Sequence, residues 1–265
     1  MSNDFWFSMA IAVVVGCFWL YKKGKNAVLT IRKIHRSFKG VCLNPKSKLS
    51  DEQCKKLAVG AMYASQQGAY QNSIETGISD LLPKILGEWW GIESTDAAKE
   101  ELDYLCEKGY RYYFPFVYQA FLLGKPEAQD EIFQQNMTSQ EDYGKIVAQF
   151  QNLQETFDEL IRCKVVAEKE ELLHYGVAGW DAGRICFLAR ACCEMGYITE
   201  AEAWKYIDLA YNMAHSTFSS WKDMGMSYGI GRSLWGGKHA YNSVMKDTAD
   251  EQLKHENSPW RKYAW

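Results

Sequence analysis

The chain has 265 residues, 47% of them hydrophobic, with 30 Lys and Arg against 33 Asp and Glu for a formal net charge of -3. That length supports one sizeable folded domain, and the near balance of charge gives no hint of the basic face that a nucleic-acid partner needs. Scarce proline and the lack of alternating apolar and polar runs point to an all-α fold, a multi-helix globular domain preceded by one N-terminal transmembrane helix.

After a short N-terminus of residues 1–4, placed outside the cytoplasm by the reading below, residues 5–21 read FWFSMAIAVVVGCFWLY, seventeen residues without a charge. As a helix this run spans roughly 25 Å, near the thickness of a bilayer core, with Trp6, Trp19 and Tyr21 suited to its interfaces. A secretory signal would carry basic residues before the apolar run and a small-residue cleavage site after it, whereas here the lysines follow. A buried core helix is the other reading of so short a run.

Lys22, Lys23, Lys25, Arg32, Lys33, Arg36 and Lys39 lie beyond the run and none lies before it, so the following domain is expected on the cytoplasmic side of the membrane. Within residues 22–48, Ala27, Ile31, Ile34 and Phe38 share one helical face. Such a basic amphipathic helix suits contact of Lys22, Lys23, Lys25, Arg32, Lys33 and Arg36 with anionic lipid, or simple packing on the domain. The seven cysteines after the run have no scaffold rhythm and fit reduced thiols. No spacing of Cys or His suggests a metal site, and no motif asks for a cofactor.

Residues 49–265 form the expected helical domain. Capping-box spacings at Ser50 and Gln53, Thr138 and Glu141, and Thr199 and Glu202 mark helix starts, while Gly109 and Gly196 suit helix ends. The periodicity predicts helices near 50–70, 73–89, 95–108, 112–123, 139–163, 179–195, 199–217, 220–235 and 240–255, with Pro83 kinking the second or marking its first turn. Residues 124–135 are polar and read as a surface connection.

Unusual residues concentrate between Gly179 and Gly237: Trp180, Asp181, Gly183, Arg184 and Arg190 on one helix, then Gly196-Tyr197-Ile198, Glu200, Glu202 and Trp204, then Trp221, Tyr228, Arg232 and Trp235. This ordered series, with Trp90-Gly91-Ile92, Gly109-Tyr110-Arg111 and the tail from Ser258-Pro259-Trp260-Arg261 to Trp265, resembles an uncharacterised bacterial family known as domain of unknown function 1266. The resemblance covers about residues 49–265. It implies a compact helical domain, assigns no catalytic residue, and would make the membrane the bacterial inner one. Tyr110 stands where the resemblance leads one to expect histidine, so no role for an imidazole carries over there.

Asp181 and Arg184, three apart on a helix, can form a charge-assisted hydrogen bond. Arg190 is out of phase with them and needs another partner, for which Glu200 or Glu202 is a candidate. Arg232 lies in a stripe with Trp221, Tyr228 and Trp235, which suits cation-π contact. Trp180, Asp181, Arg184, Arg190, Glu202, Trp221, Tyr228 and Arg232 therefore make one candidate polar cluster with two readings. Either it is a sealed network in which aromatic rings fill helix interfaces and charges neutralise one another, or it surrounds a cleft for a phosphate or carboxylate.

Catalytic signatures such as GxSxG, HExxH and GxxxxGK[ST] do not occur. The expected function is a membrane-anchored cytoplasmic helical module that binds a protein or a small anionic ligand. The alternative is an anchored hydrolase or transferase acting on an anionic substrate, with Asp181 or Glu202 as acid or base.

Overall fold

A computed structural model of the chain describes residues 40–265. The expected membrane span at 5–21 and most of the basic stretch at 22–48 lie outside the described residues. Among the described residues no helix is long and apolar enough to cross a membrane. The domain is all-helical, and Cys42 and Tyr70 form an isolated parallel bridge.

Helix α1 (Asp51–Leu57) starts at the Ser50 capping box with Gln53 and runs through a 3-10 turn at Ala58–Gly60 into α2 (Ala61–Gln67). The helix expected from residue 73 is absent until the chain reaches a π-helix at Lys84–Trp89. The intervening backbone is held by side chains instead. Glu194 accepts hydrogen bonds from the Thr76 amide and hydroxyl at 2.6 and 2.7 Å, and Arg190 donates to the carbonyls of Tyr70, Ile74 and Glu75. Those carbonyls find their partners across the fold rather than along the chain. Pro83 stands just before the π-helix, as a first-turn residue can.

Helices α3 (Thr95–Glu107) and α4 (Gly109–Leu122) follow with almost no connection, and Gly109, at φ +56°, makes the reversal between them. The stretch read as a surface connection is helix α5 (Pro126–Asn136). Its polarity reflects exposure, because only Ile132 and Phe133 are buried, and Pro126 occupies its first turn where no amide partner is needed. Helix α6 (Gln140–Arg162) is capped by Ser139, which accepts from the Asp142 amide, one residue later than the Thr138 spacing suggests. A short α7 (Lys169–Tyr175), which the periodicity missed, leads into α8 (Ala178–Glu194).

Helix α8 is the axis of the molecule: every residue from Ala178 to Cys192 is buried. Helices α9 (Glu200–Thr217) and α10 (Trp221–Gly236) pack along it, with α3 and α4 against other parts of its surface. One close approach is at Gly231 of α10, where a Cβ would lie 2.2 Å from Cβ of Trp180, so only glycine lets the two helices meet there. After α11 (Asn242–Lys254), the short α12 (Pro259–Lys262) brings the tail back. Trp260 donates to the Ala58 carbonyl at 2.7 Å and stacks on Trp221, which also meets Trp265 edge-on. The C-terminal residues thereby close the bundle against its first helices.

Candidate functional site

Around one side of α8 the elements leave a cleft of about 1020 Å³, lined by α2, the π-helix, α3, the start of α4, α6, α8, α10 and α11. The π-helix aims Trp89 and Trp90 at it, a role in keeping with the tendency of such irregular turns to occur at functional sites.

Asp181 anchors the cleft wall without lining the cleft. It is fully buried at the N-terminus of α4, where its carboxylate accepts from the Tyr110 and Arg111 amides at 3.0 and 2.9 Å, from Nη1 of Arg111 at 3.2 Å, and from Nη2 of Arg184. This position satisfies exposed amides and meets the positive end of the helix dipole. A Cβ on Gly109 would lie 2.5 Å from the Asp181 carboxylate, so the sharp turn is also what lets the anchor approach. Arg111 divides itself between Asp181 and the carbonyls of Leu105 and Cys106 at the end of α3.

Arg184 lines the cleft and packs among rings: its Cζ lies 5.6 Å from the Trp90 ring centroid, 4.8 Å from that of Tyr110 and 4.9 Å from that of Trp180. Arg232 approaches Trp180 at 5.9 Å and Trp235 at 4.4 Å, so Trp180 stands between the two guanidinium groups. Arg232 donates to the Ala240 carbonyl and has no carboxylate partner among the described residues. One carboxylate thus pairs with both Arg184 and Arg111, and none pairs with Arg232 among the described residues, while Glu101 and Glu251 also line the cleft.

The other residues singled out by sequence lie elsewhere. Arg190 is fully buried and holds the 70–75 backbone, rather than Glu200 or Glu202. Glu202 completes the Thr199 capping box and pairs with Lys99 at 2.8 Å, and that ammonium helps hold its carboxyl down at about 2. Trp221 belongs to the C-terminal aromatic cluster at the other end of α10. Tyr228 supports the cleft from behind: its ring meets Trp180 edge-on at 5.0 Å and its hydroxyl accepts from Gln66, itself a lining residue.

Several lining residues carry no sequence signal. Gln67 and Gln149 are buried, and the side-chain carbonyl of each has no hydrogen-bond partner. The same holds for Nε of Arg184 and Nε1 of Trp180. Buried polar atoms are nearly always satisfied, and a lapse costs about 1–3 kcal/mol; besides these four on cleft residues, atoms of Gln71, Arg190, Asp208 and His215, outside the lining, are also left without a hydrogen-bond partner. Glu101, also in the lining, has no hydrogen bond or ion pair among the described residues. Burial pushes its carboxyl above the ordinary value of 4.5, opposed by Arg184 and Lys145. Burial likewise pushes the Tyr110 hydroxyl up to about 12, so it stays a neutral donor and acceptor. The thiols are poor nucleophiles where they are most buried, with Cys192 pushed up to about 12 and Cys186 to about 11.

The model of a family described as "Protein of unknown function (DUF1266)" matches residues 85–265. The chain belongs to this family. No curated protein and no solved structure matches it. In this DUF1266 domain the matched segment supplies Trp180, Arg184 and Arg232, whereas Gln66 and Gln67 come from α2, which precedes the match. The Trp-Gly-Ile and Gly-Tyr-Arg segments behind the resemblance bring Trp90 and Tyr110 to the ring cage around Arg184.

Proposed function

We propose that this DUF1266 protein is a membrane-anchored binding module whose cytoplasmic helical domain takes a small anionic ligand in the cleft beside α8. The observation that carries this reading is the convergence of Arg184, Arg232 and Trp180 on one cleft, with no carboxylate paired to Arg232 among the described residues. Guanidinium groups suit phosphate or carboxylate, and the rings beside them exclude water and strengthen the attraction. The uncharged run at 5–21 and the lysines after it support the anchor, with the domain on the inner face of a bacterial cytoplasmic membrane.

Thermal melts of the full chain in detergent, with inorganic phosphate and a panel of organic phosphates and carboxylates, test the ligand reading. At least one anion should raise the melting temperature of the parent and lose that effect in Arg232→Ala. If every anion leaves the parent unshifted, the cleft does not serve this role. Glu101 favours a second reading, the anchored enzyme, because an uncommitted carboxyl with a raised pKa beside an anion site can exchange protons with a bound substrate. In that case Glu101→Gln abolishes turnover of a bound anion while leaving its affinity in place.

A further inference from the structure

The carboxyl groups of the cleft set a second condition on its ligand. Glu101, on α3, lines the opening half-buried and makes no hydrogen bond or ion pair among the described residues. The two cations that act on it are both held elsewhere: Arg184 pairs with Asp181, and Lys145 pairs with Glu141 at 2.7 Å. Arg232 is the converse case. Its Nε donates to the Ala240 carbonyl, and no carboxylate pairs with it among the described residues. The cleft therefore holds an uncommitted charge of each sign.

A carboxylate in a partly desolvated position is costly unless a donor answers it. At Glu101 burial outweighs the pull of Arg184 and Lys145 and raises the pKa. A protonated amine beside this carboxyl supplies the missing donors and favours its ionised form. Tyr110 suits the same group. It lines the cleft under the influence of the same Arg184 and Lys145, and its neutral hydroxyl makes no hydrogen bond among the described residues, so its oxygen is open to an ammonium donor. Glu251 also lines the cleft, but its carboxylate lies against Gly40, where the described residues begin, whereas Glu101 sits beside Lys145 of α6 and Arg184 of α8.

Trp180 stands between Arg232 and Arg184, and Arg184 is the guanidinium that acts on Glu101. A ligand that answers both uncommitted charges must then carry its amine and its anionic group several bonds apart. A cleft of about 1020 Å³ has room for such a spacer. We infer that the cleft selects a zwitterion, with a phosphate or carboxylate against Arg232, a spacer along Trp180, and a protonated amine between Glu101 and Tyr110. This rests on the anion-binding reading above and names the ligand class of that same site.

Isothermal titration of the full chain in detergent at about pH 7 tests it with two matched pairs of probes, aminohexyl phosphate against hexyl phosphate and aminohexanoate against hexanoate, each amine at the far end of the chain. In at least one pair the aminated member should bind tenfold or more tightly than its plain partner. Arg232→Ala should weaken both members. Glu101→Gln, close in shape to the parent residue and checked for folding by its melt, should bring the aminated member down to the affinity of the plain one and leave the plain one bound at least as well. If plain and aminated members bind equally and in an Arg232-dependent manner, the zwitterion inference is wrong and anion binding survives. If the preference for the amine persists in Glu101→Gln, the amine does not meet Glu101 and the inference is overturned; unchanged affinity in that variant is what the anchored-enzyme reading predicts. If no probe binds, the anion site itself falls and takes the zwitterion with it.

Discussion

Asp181 and Arg232 show how two charged residues of one motif series can have separable consequences. Asp181 joins the start of α4 to α8 through two amides and two guanidinium groups at zero exposure. Its removal leaves Arg111 and Arg184 short of a counter-charge and two amides bare, so Asp181→Ala should lower the unfolding free energy by about 3–5 kcal/mol in a denaturant titration. Arg232 is only partly buried and makes one backbone hydrogen bond. Arg232→Ala should therefore leave the melt close to that of the parent while weakening anion affinity by about ten- to a hundredfold, the loss of one charge-assisted hydrogen bond. Isothermal titration with an anion that shifts the parent measures the second effect. Glu101 gives a signed expectation. Its raised folded-state pKa makes a stabilising contribution that is full below the ordinary 4.5 and is lost as pH rises through the folded value. Glu101→Gln removes that loss, so the variant should melt above the parent at about pH 7 and the gap should close below about pH 4.

At the scale of elements, the cleft exists because α8 is buried all round and its neighbours cannot all close over the same segment. Gly231 sets how near α10 comes, since its missing Cβ is what allows contact with Trp180. Gly231→Ala should push α10 outward, move Arg232 away from Trp180, and cost about 1–3 kcal/mol as overpacking, read in the melting temperature. It should also weaken anion binding, although Gly231 presents no side chain to a ligand. Helix starts at Ser50 and Thr199 were legible in the sequence because capping is local chemistry. The stretch at 70–80 was not, because its carbonyls accept from Arg190 and its Thr76 amide donates to Glu194, both more than a hundred residues away. Helix α5 was masked by its own exposure, which left too few apolar residues to mark a face.

For the whole molecule, the consequence to check is location. The uncharged run and the lysines after it lead us to expect full-length protein in the membrane fraction after alkaline carbonate extraction, released by detergent. Recovery of intact chain in the soluble fraction would remove the anchor from the proposal. A C-terminal reporter fusion should be active only in the form that reads cytoplasmic exposure.

Composition, periodicity and capping were enough to establish a helical domain, and the ordered Trp, Gly and Arg series was enough for the family, because each depends on residues close in sequence. Which charges share a space depends on helix packing, and that only the tertiary structure decided. Arg190 and Glu202 left the cluster for structural partners, while Glu101, Gln67 and Gln149, on three different helices, came to line one cleft with Arg184 and Arg232. Spacing along a chain reports which residues share a helix face; whether two faces meet sealed or stand apart is set by contacts such as Gly231 on Trp180.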